Sequence, residues 1–135
     1  MKSVPHALKL VALVAVGIGL VGCGVDTTAE TKSKNDPTPV TVGKAFTIGK
    51  HQTLAGWTVT KDALGSFAIT GKVKNVSDKT STAFFHVKFL SATDEVLGNV
   101  QCNSSDLEPG QTEALNCISD GKYAKFAKVT AEATF

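Results

Sequence analysis

The sequence predicts an all-β domain, a single antiparallel β-sandwich of about seven strands, and three observations carry that prediction. Between positions 44 and 135, short runs alternate apolar and polar side chains with a period of two. That is the pattern of a strand buried on one face. Clusters of Gly, Asn, Asp, Ser and Pro separate the runs about every 8–12 residues, the spacing of hairpin turns. No helical periodicity of convincing length competes with this reading.

Taken in order, positions 54–60 hold the single tryptophan, Trp57, between Gly56 and Val59. Positions 67–74 alternate strictly, so Phe67, Ile69, Gly71 and Val73 are expected inward and Thr70, Lys72 and Lys74 outward. Asn75-Val76-Ser77-Asp78-Lys79-Thr80 reads as a polar turn. Along 83–90, Phe85, Val87 and Phe89 fall inward, with Phe84, His86 and Lys88 outward. A turn at 92–95 leads into 96–102, whose inward set is Val96, Gly98, Val100 and Cys102. Positions 104–110 form a loop ending in Pro109-Gly110, and 111–118 place Leu115 and Cys117 on one face. After a turn at 119–122, Tyr123-Ala124-Lys125-Phe126 suits a short helical turn. The last strand, 128–135, carries Val129, Ala131, Ala133 and Phe135 in phase. Short strands and regular turns over roughly 90 residues point to a sandwich of immunoglobulin type. So small a domain buries a modest share of its surface and gains from a covalent staple.

Ahead of this domain the chain changes character twice. An apolar run at 10–21 follows Lys2, His6 and Lys9 and precedes Gly22 and Cys23; basic start, apolar centre and small residue make an export signal. A membrane-spanning helix needs about 20 apolar residues, whereas 10–22 supplies 13, several of them Gly or Ala. Leu20-Val21-Gly22-Cys23 resembles the lipobox of bacterial lipoproteins. The resemblance implies a signal peptide over 1–22, a diacylglyceryl group on the Cys23 thiol, and cleavage that leaves Cys23 first. Such a chain is anchored to the cell membrane at its extracytoplasmic face, because two or three acyl chains hold where one does not. Residues 23–43 are then the lipidated terminus and a flexible linker, rich in Thr, Ser, Asp and Lys with two prolines. They have too little to bury to offset the entropy of ordering.

Without Lys2 and Lys9, 12 lysines face 12 acidic residues, and arginine is absent. A neutral chain lacking the bidentate reader of phosphate has no footprint for nucleic acid. With Cys23 taken by lipid, Cys102 and Cys117 remain, and an export route makes a disulfide their expected fate. Two thiols without CxxC spacing or clustered histidines make a poor metal site.

Gly71-Lys72-Val73-Lys74-Asn75-Val76-Ser77, Phe85-His86-Val87-Lys88-Phe89-Leu90 and Leu107-Glu108-Pro109-Gly110-Gln111-Thr112 follow one another in an order similar to FxLYD-type domains. These are immunoglobulin-like modules of bacterial and archaeal surface lipoproteins, and the likeness spans roughly 56–135. Phe89-Leu90-Ser91-Ala92-Thr93 stands where the family carries Phe-x-Leu-Tyr-Asp, so the Tyr-Asp pair is missing. The family has no catalytic residues to carry over.

Candidate chemistry is sparse. His51 and His86 belong to neither a GxSxG elbow nor an HExxH pattern. Asp94-Glu95 and Asp106-x-Glu108 sit in turns and do not form a calcium loop. Asn75-Val76-Ser77 and Asn103-Ser104-Ser105 match the glycosylation acceptor, which a bacterial chain does not use in the eukaryotic manner. No catalytic residue, metal or cofactor is expected. One surface stands out: if strands 67–74 and 83–90 pair, Lys72 and Lys74 flank Phe84, His86 and Lys88, giving an aromatic anchor ringed by cations. The expected activity is non-enzymatic binding of an envelope protein or cell-wall ligand. The rivals are a phage-encoded superinfection-exclusion lipoprotein and a passive accessory of an envelope assembly.

Overall fold

The structure, a computed structural model, describes residues 36–134. The expected export signal, Cys23, the first part of the expected linker and Phe135 lie outside the described residues. Eleven strands follow in order: β1 (Thr38–Val40), β2 (Phe46–Ile48), β3 (His51–Thr53), β4 (Thr58–Lys61), β5 (Phe67–Thr70), β6 (Lys72–Asn75), β7 (Ser81–Leu90), β8 (Val96–Leu107), β9 (Thr112–Ala114), β10 (Asn116–Asp120) and β11 (Lys128–Ala133). They form a five-stranded sheet in the order β1-β11-β7-β8-β10, a four-stranded sheet β2-β3-β6-β9 and a ribbon β4-β5. Every pairing is antiparallel. The architecture is therefore the expected β-sandwich, and among the described residues there is no helix.

Alternation decides what the sheets bury. Phe85, Val87, Phe89, Val100, Cys102, Val129 and Ala131 of the five-stranded sheet meet Trp57, Phe67, Ile69 and Val73 in one core. The rings of Phe67 and Phe89 stack with centroids 4.2 Å apart. Gly98 makes that stack possible, since a Cβ there would collide with the Phe67 ring.

Strands outnumber the expectation because the chain breaks where it changes sheets and because β1, β2 and β3 precede the first run singled out in the sequence. Positions 67–74, expected as one strand, split at Gly71: β5 pairs with β4, while β6 pairs with β3 and β9. A Cβ on residue 71 would lie 2.7 Å from Trp57 Cβ, so only glycine lets the tryptophan lie against the break. Of positions 54–60, only 58–60 lie in a strand, β4. Trp57 sits between β3 and β4, buried, with its indole N–H donating to the Lys44 carbonyl at 2.7 Å. Positions 111–118 split at Leu115, whose N–H donates to Gly71 O at 2.9 Å, and the chain passes there from one sheet to the other.

Four further expectations are corrected. The linker does not extend to residue 43, because Thr38–Val40 pair with β11 and Val40 and Val42 pack against the core. The loop expected from 104 begins only after Leu107; β8 continues through a bulge where Ser104 Oγ accepts the Ala83 N–H at 2.9 Å. Val96 is 58% exposed rather than inward, because the register shifts between Phe89 and Leu90. Tyr123–Phe126 form no helical turn: the Tyr123 N–H donates to Gly65 O at 2.8 Å, and the Tyr123 and Phe126 rings pack on Phe67.

Asn75, the last residue of β6, is the polar centre of the core and is wholly buried. Its Nδ2 donates to Lys79 O at 2.7 Å and Leu107 O at 2.8 Å. Its Oδ1 accepts from Ser77 N–H at 2.9 Å and Ser77 Oγ at 2.7 Å. Two donors and two lone pairs are thus all engaged. The Asn75 backbone adds bonds to Gln111 O and from Gly110 N–H, tying the turn after β6 to the turn after β8.

Candidate functional site

The structure divides the surface expected from Lys72, Lys74, Phe84, His86 and Lys88. Lys72 and Lys74 are on β6, in the four-stranded sheet, whereas Phe84, His86 and Lys88 are on β7, which pairs with β8 and β11. The connection from β6 to β7 crosses between sheets instead of folding back as a hairpin. Val73 and Phe85 both reach the same core, so their outward neighbours point to opposite exteriors. The five residues do not form one site.

A different set surrounds the β7 residues. Register pairs Phe84 with Asn103, His86 with Gln101 and Lys88 with Asn99 on β8. Beyond these, β10 pairs Asn116 with Asn103, Ile118 with Gln101 and Asp120 with Asn99. On the other side, Glu132 pairs with His86 and Thr130 with Lys88. Lys88 Nζ and Glu132 Oε1 form an ion pair at 2.5 Å. The outer face of the five-stranded sheet thus carries an aromatic pair beside a bank of carboxamides. Asn99, Gln101 and Asn103 alternate with buried Gly98, Val100 and Cys102 in the sequence itself. Only the register, however, sets them against Phe84 and His86.

The expected disulfide is present. Cys102 on β8 and Cys117 on β10 stand directly opposite each other and are bonded, joining the edge strand to its neighbour.

An open cleft of about 920 Å³ lies at one end of the sandwich. The β2–β3 turn supplies Ile48, Lys50 and His51, the start of β7 supplies Ser81 and Phe85, and Ala133 closes one wall. Here the fold joins two residues the sequence left separate: His51 Nε2 is 3.0 Å from Ser81 Oγ and 3.3 Å from Ser81 O. A serine nucleophile needs a bare imidazole nitrogen to take its proton. The carbonyl can only accept, so it favours a proton on Nε2, the form that donates and cannot serve as that base. The pair therefore orients the ring at the cleft mouth. Among the described residues no group of three or more His, Cys, Asp or Glu could hold a metal ion. Cys23 lies outside the described residues.

Comparison of the chain with known protein families, with curated proteins and with solved structures finds no match.

Proposed function

We propose that this chain is a lipid-anchored, extracytoplasmic binding module of the bacterial cell envelope, a sandwich of immunoglobulin-like kind that acts without catalysis. The observation that carries the reading is the Cys102–Cys117 disulfide. Such bonds persist in oxidising compartments and are rare in the cytosol, which agrees with the export signal and lipobox at 1–23. The third cysteine, Cys23, is then the one left for lipid, so every thiol has a role. Support for binding over catalysis comes from the cleft, where the Ser81 carbonyl competes for the one histidine nitrogen a nucleophile would need. The partner is an envelope protein or cell-wall ligand, met at the end of a short tether.

The test is Cys23→Ala in cells fed an alkyne-tagged palmitate. The parent chain is expected in the membrane fraction carrying label, and the variant unlabelled, either released or retained as precursor. Equal labelling of both would refute lipidation at Cys23. Crosslinking of the anchored chain in living cells then identifies what it holds.

A further inference from the structure

We propose that the outer face of the five-stranded sheet is a docking surface for a neutral polysaccharide, held by a bank of side-chain amides. This rests on reading the domain as an envelope-binding module and names its ligand class.

The argument begins with register. Asn99, Gln101 and Asn103 project from one face of β8, and Asn116 on β10 pairs with Asn103, so four carboxamides share one face of two adjacent strands. Phe84 and His86 on β7 border the bank on one side, their ring centroids 6.0 Å apart. A carboxamide both donates and accepts hydrogen bonds. So does a sugar hydroxyl, and a row of amides therefore matches a polyol in a way that a row of like charges does not. Along β8 the amides recur at every second residue, about 6.8 Å apart, and across to β10 Asn116 stands opposite Asn103, so a sugar chain laid along β8 meets amides in succession and a fourth at that rung. The imidazole of His86 offers an apolar edge and face for the C–H side of a sugar.

Charge agrees with this. Lys88 is neutralised by Glu132 at 2.5 Å and Lys128 by Asp94 at 2.8 Å. Asp120, opposite Asn99 on the same face, adds a negative charge, so the face has no field to recruit a polyanion and does not fit an acidic polymer or a nucleic acid. A further sign is Asn99 Oδ1, which is buried without a hydrogen-bond partner. Native folds keep few such atoms without a use. An amide rotation, soft at this torsion, turns that acceptor toward an incoming hydroxyl.

The experiment is affinity electrophoresis of the full chain, purified in a polyoxyethylene detergent that itself bears no sugar. Native gels are cast with mannan, arabinogalactan or dextran, and one with hyaluronan as a charged control. Retardation is expected in at least one neutral gel and not in hyaluronan. Gln101→Ala combined with Asn103→Ala is expected to weaken retardation about tenfold, the scale of one or two lost hydrogen bonds. Asn116→Asp, exposed on the edge strand, asks nothing of the core and is expected to weaken it in the same direction. Unchanged Trp57 emission verifies that each variant is folded. Free passage through all three neutral gels overturns the proposal. So does retardation that both variants retain, or a change of oligomeric state in the variants, which would make the face a contact between copies. A chain that stays on membranes but runs unretarded sinks this inference alone; loss of the anchor does not alter the gel result.

Discussion

Replacing Asn75 by alanine removes a side chain whose four hydrogen bonds brace the turn it opens and tie that turn to the far end of β8. The Leu107 carbonyl suffers most, because its bond to Nδ2 is fully buried, and a buried acceptor left without a donor costs about 1–3 kcal/mol. Lys79 O and the Ser77 groups are closer to solvent and recover water, so together they add on the order of 1 kcal/mol. A total of about 3 kcal/mol is a large part of the roughly 5–15 kcal/mol that holds a domain of this size. At about 4–8 °C per kcal/mol, Asn75→Ala is expected to lower Tm by roughly 12–24 °C. Asn75→Asp is expected to be at least as harmful, since it keeps the Ser77 bonds but turns a second oxygen toward two carbonyls. Urea unfolding followed by emission of Trp57, the only tryptophan and 1% exposed, measures both. An Asn75→Ala midpoint equivalent to less than about 1 kcal/mol of lost stability would show that the network is dispensable and refute the reasoning.

Gly71→Ala places a methyl group 2.7 Å from Trp57 Cβ, an overlap that only backbone movement relieves. A loss of about 1–3 kcal/mol with a red shift of tryptophan emission is expected, and unchanged emission and melting would disprove the close approach. Cys102→Ser opens a link spanning 15 positions, worth about 3 kcal/mol in the loop-entropy account. The variant should melt lower and leave Cys117 open to alkylation, whereas Cys117 labelling in the unreduced parent would show that the bond is absent.

Strand faces were legible where one run stays in one sheet, with Val96 at the register shift as the exception. Along β7 and β8, period-two alternation alone sorts Phe85, Val87, Phe89, Val100 and Cys102 inward, and the structure buries all five. The pattern is silent on which sheet a strand joins. Positions 67–74 alternate without interruption through Gly71, and 111–118 set Leu115 and Cys117 on one face, yet the chain passes between sheets in both. The reason, Trp57 against Gly71 and the Leu115 N–H bonded to Gly71 O, depends on residues distant in sequence. That blindness produced the mistaken face of Lys72 and Lys74 with Phe84, His86 and Lys88. Thr38–Val40 escaped for another reason: a polar segment with a proline reads as linker, and only β11 beside it supplies hydrogen-bond partners. The His51–Ser81 contact joins residues 30 positions apart and had no local signature. Asn75 was legible as a turn residue, but its burial was not, because the partners at Lys79 and Leu107 come from the turn it starts and from the far end of β8.

The three-residue strand β1 has a mechanical consequence. It lies at the edge of the five-stranded sheet, held on one side only, by β11. A pull arriving from the N-terminal side therefore loads β1 first, and the pairs Thr38–Ala131, Pro39–Thr130 and Val40–Val129 bear it before any other strand. Releasing them frees about 10 Å of chain and leaves the β11–β7–β8–β10 ladder and its disulfide intact. Behind β1 the next resistance is Val42 in the core. Under such a pull β1 is the strand that yields first, while the strands behind it keep their pairing.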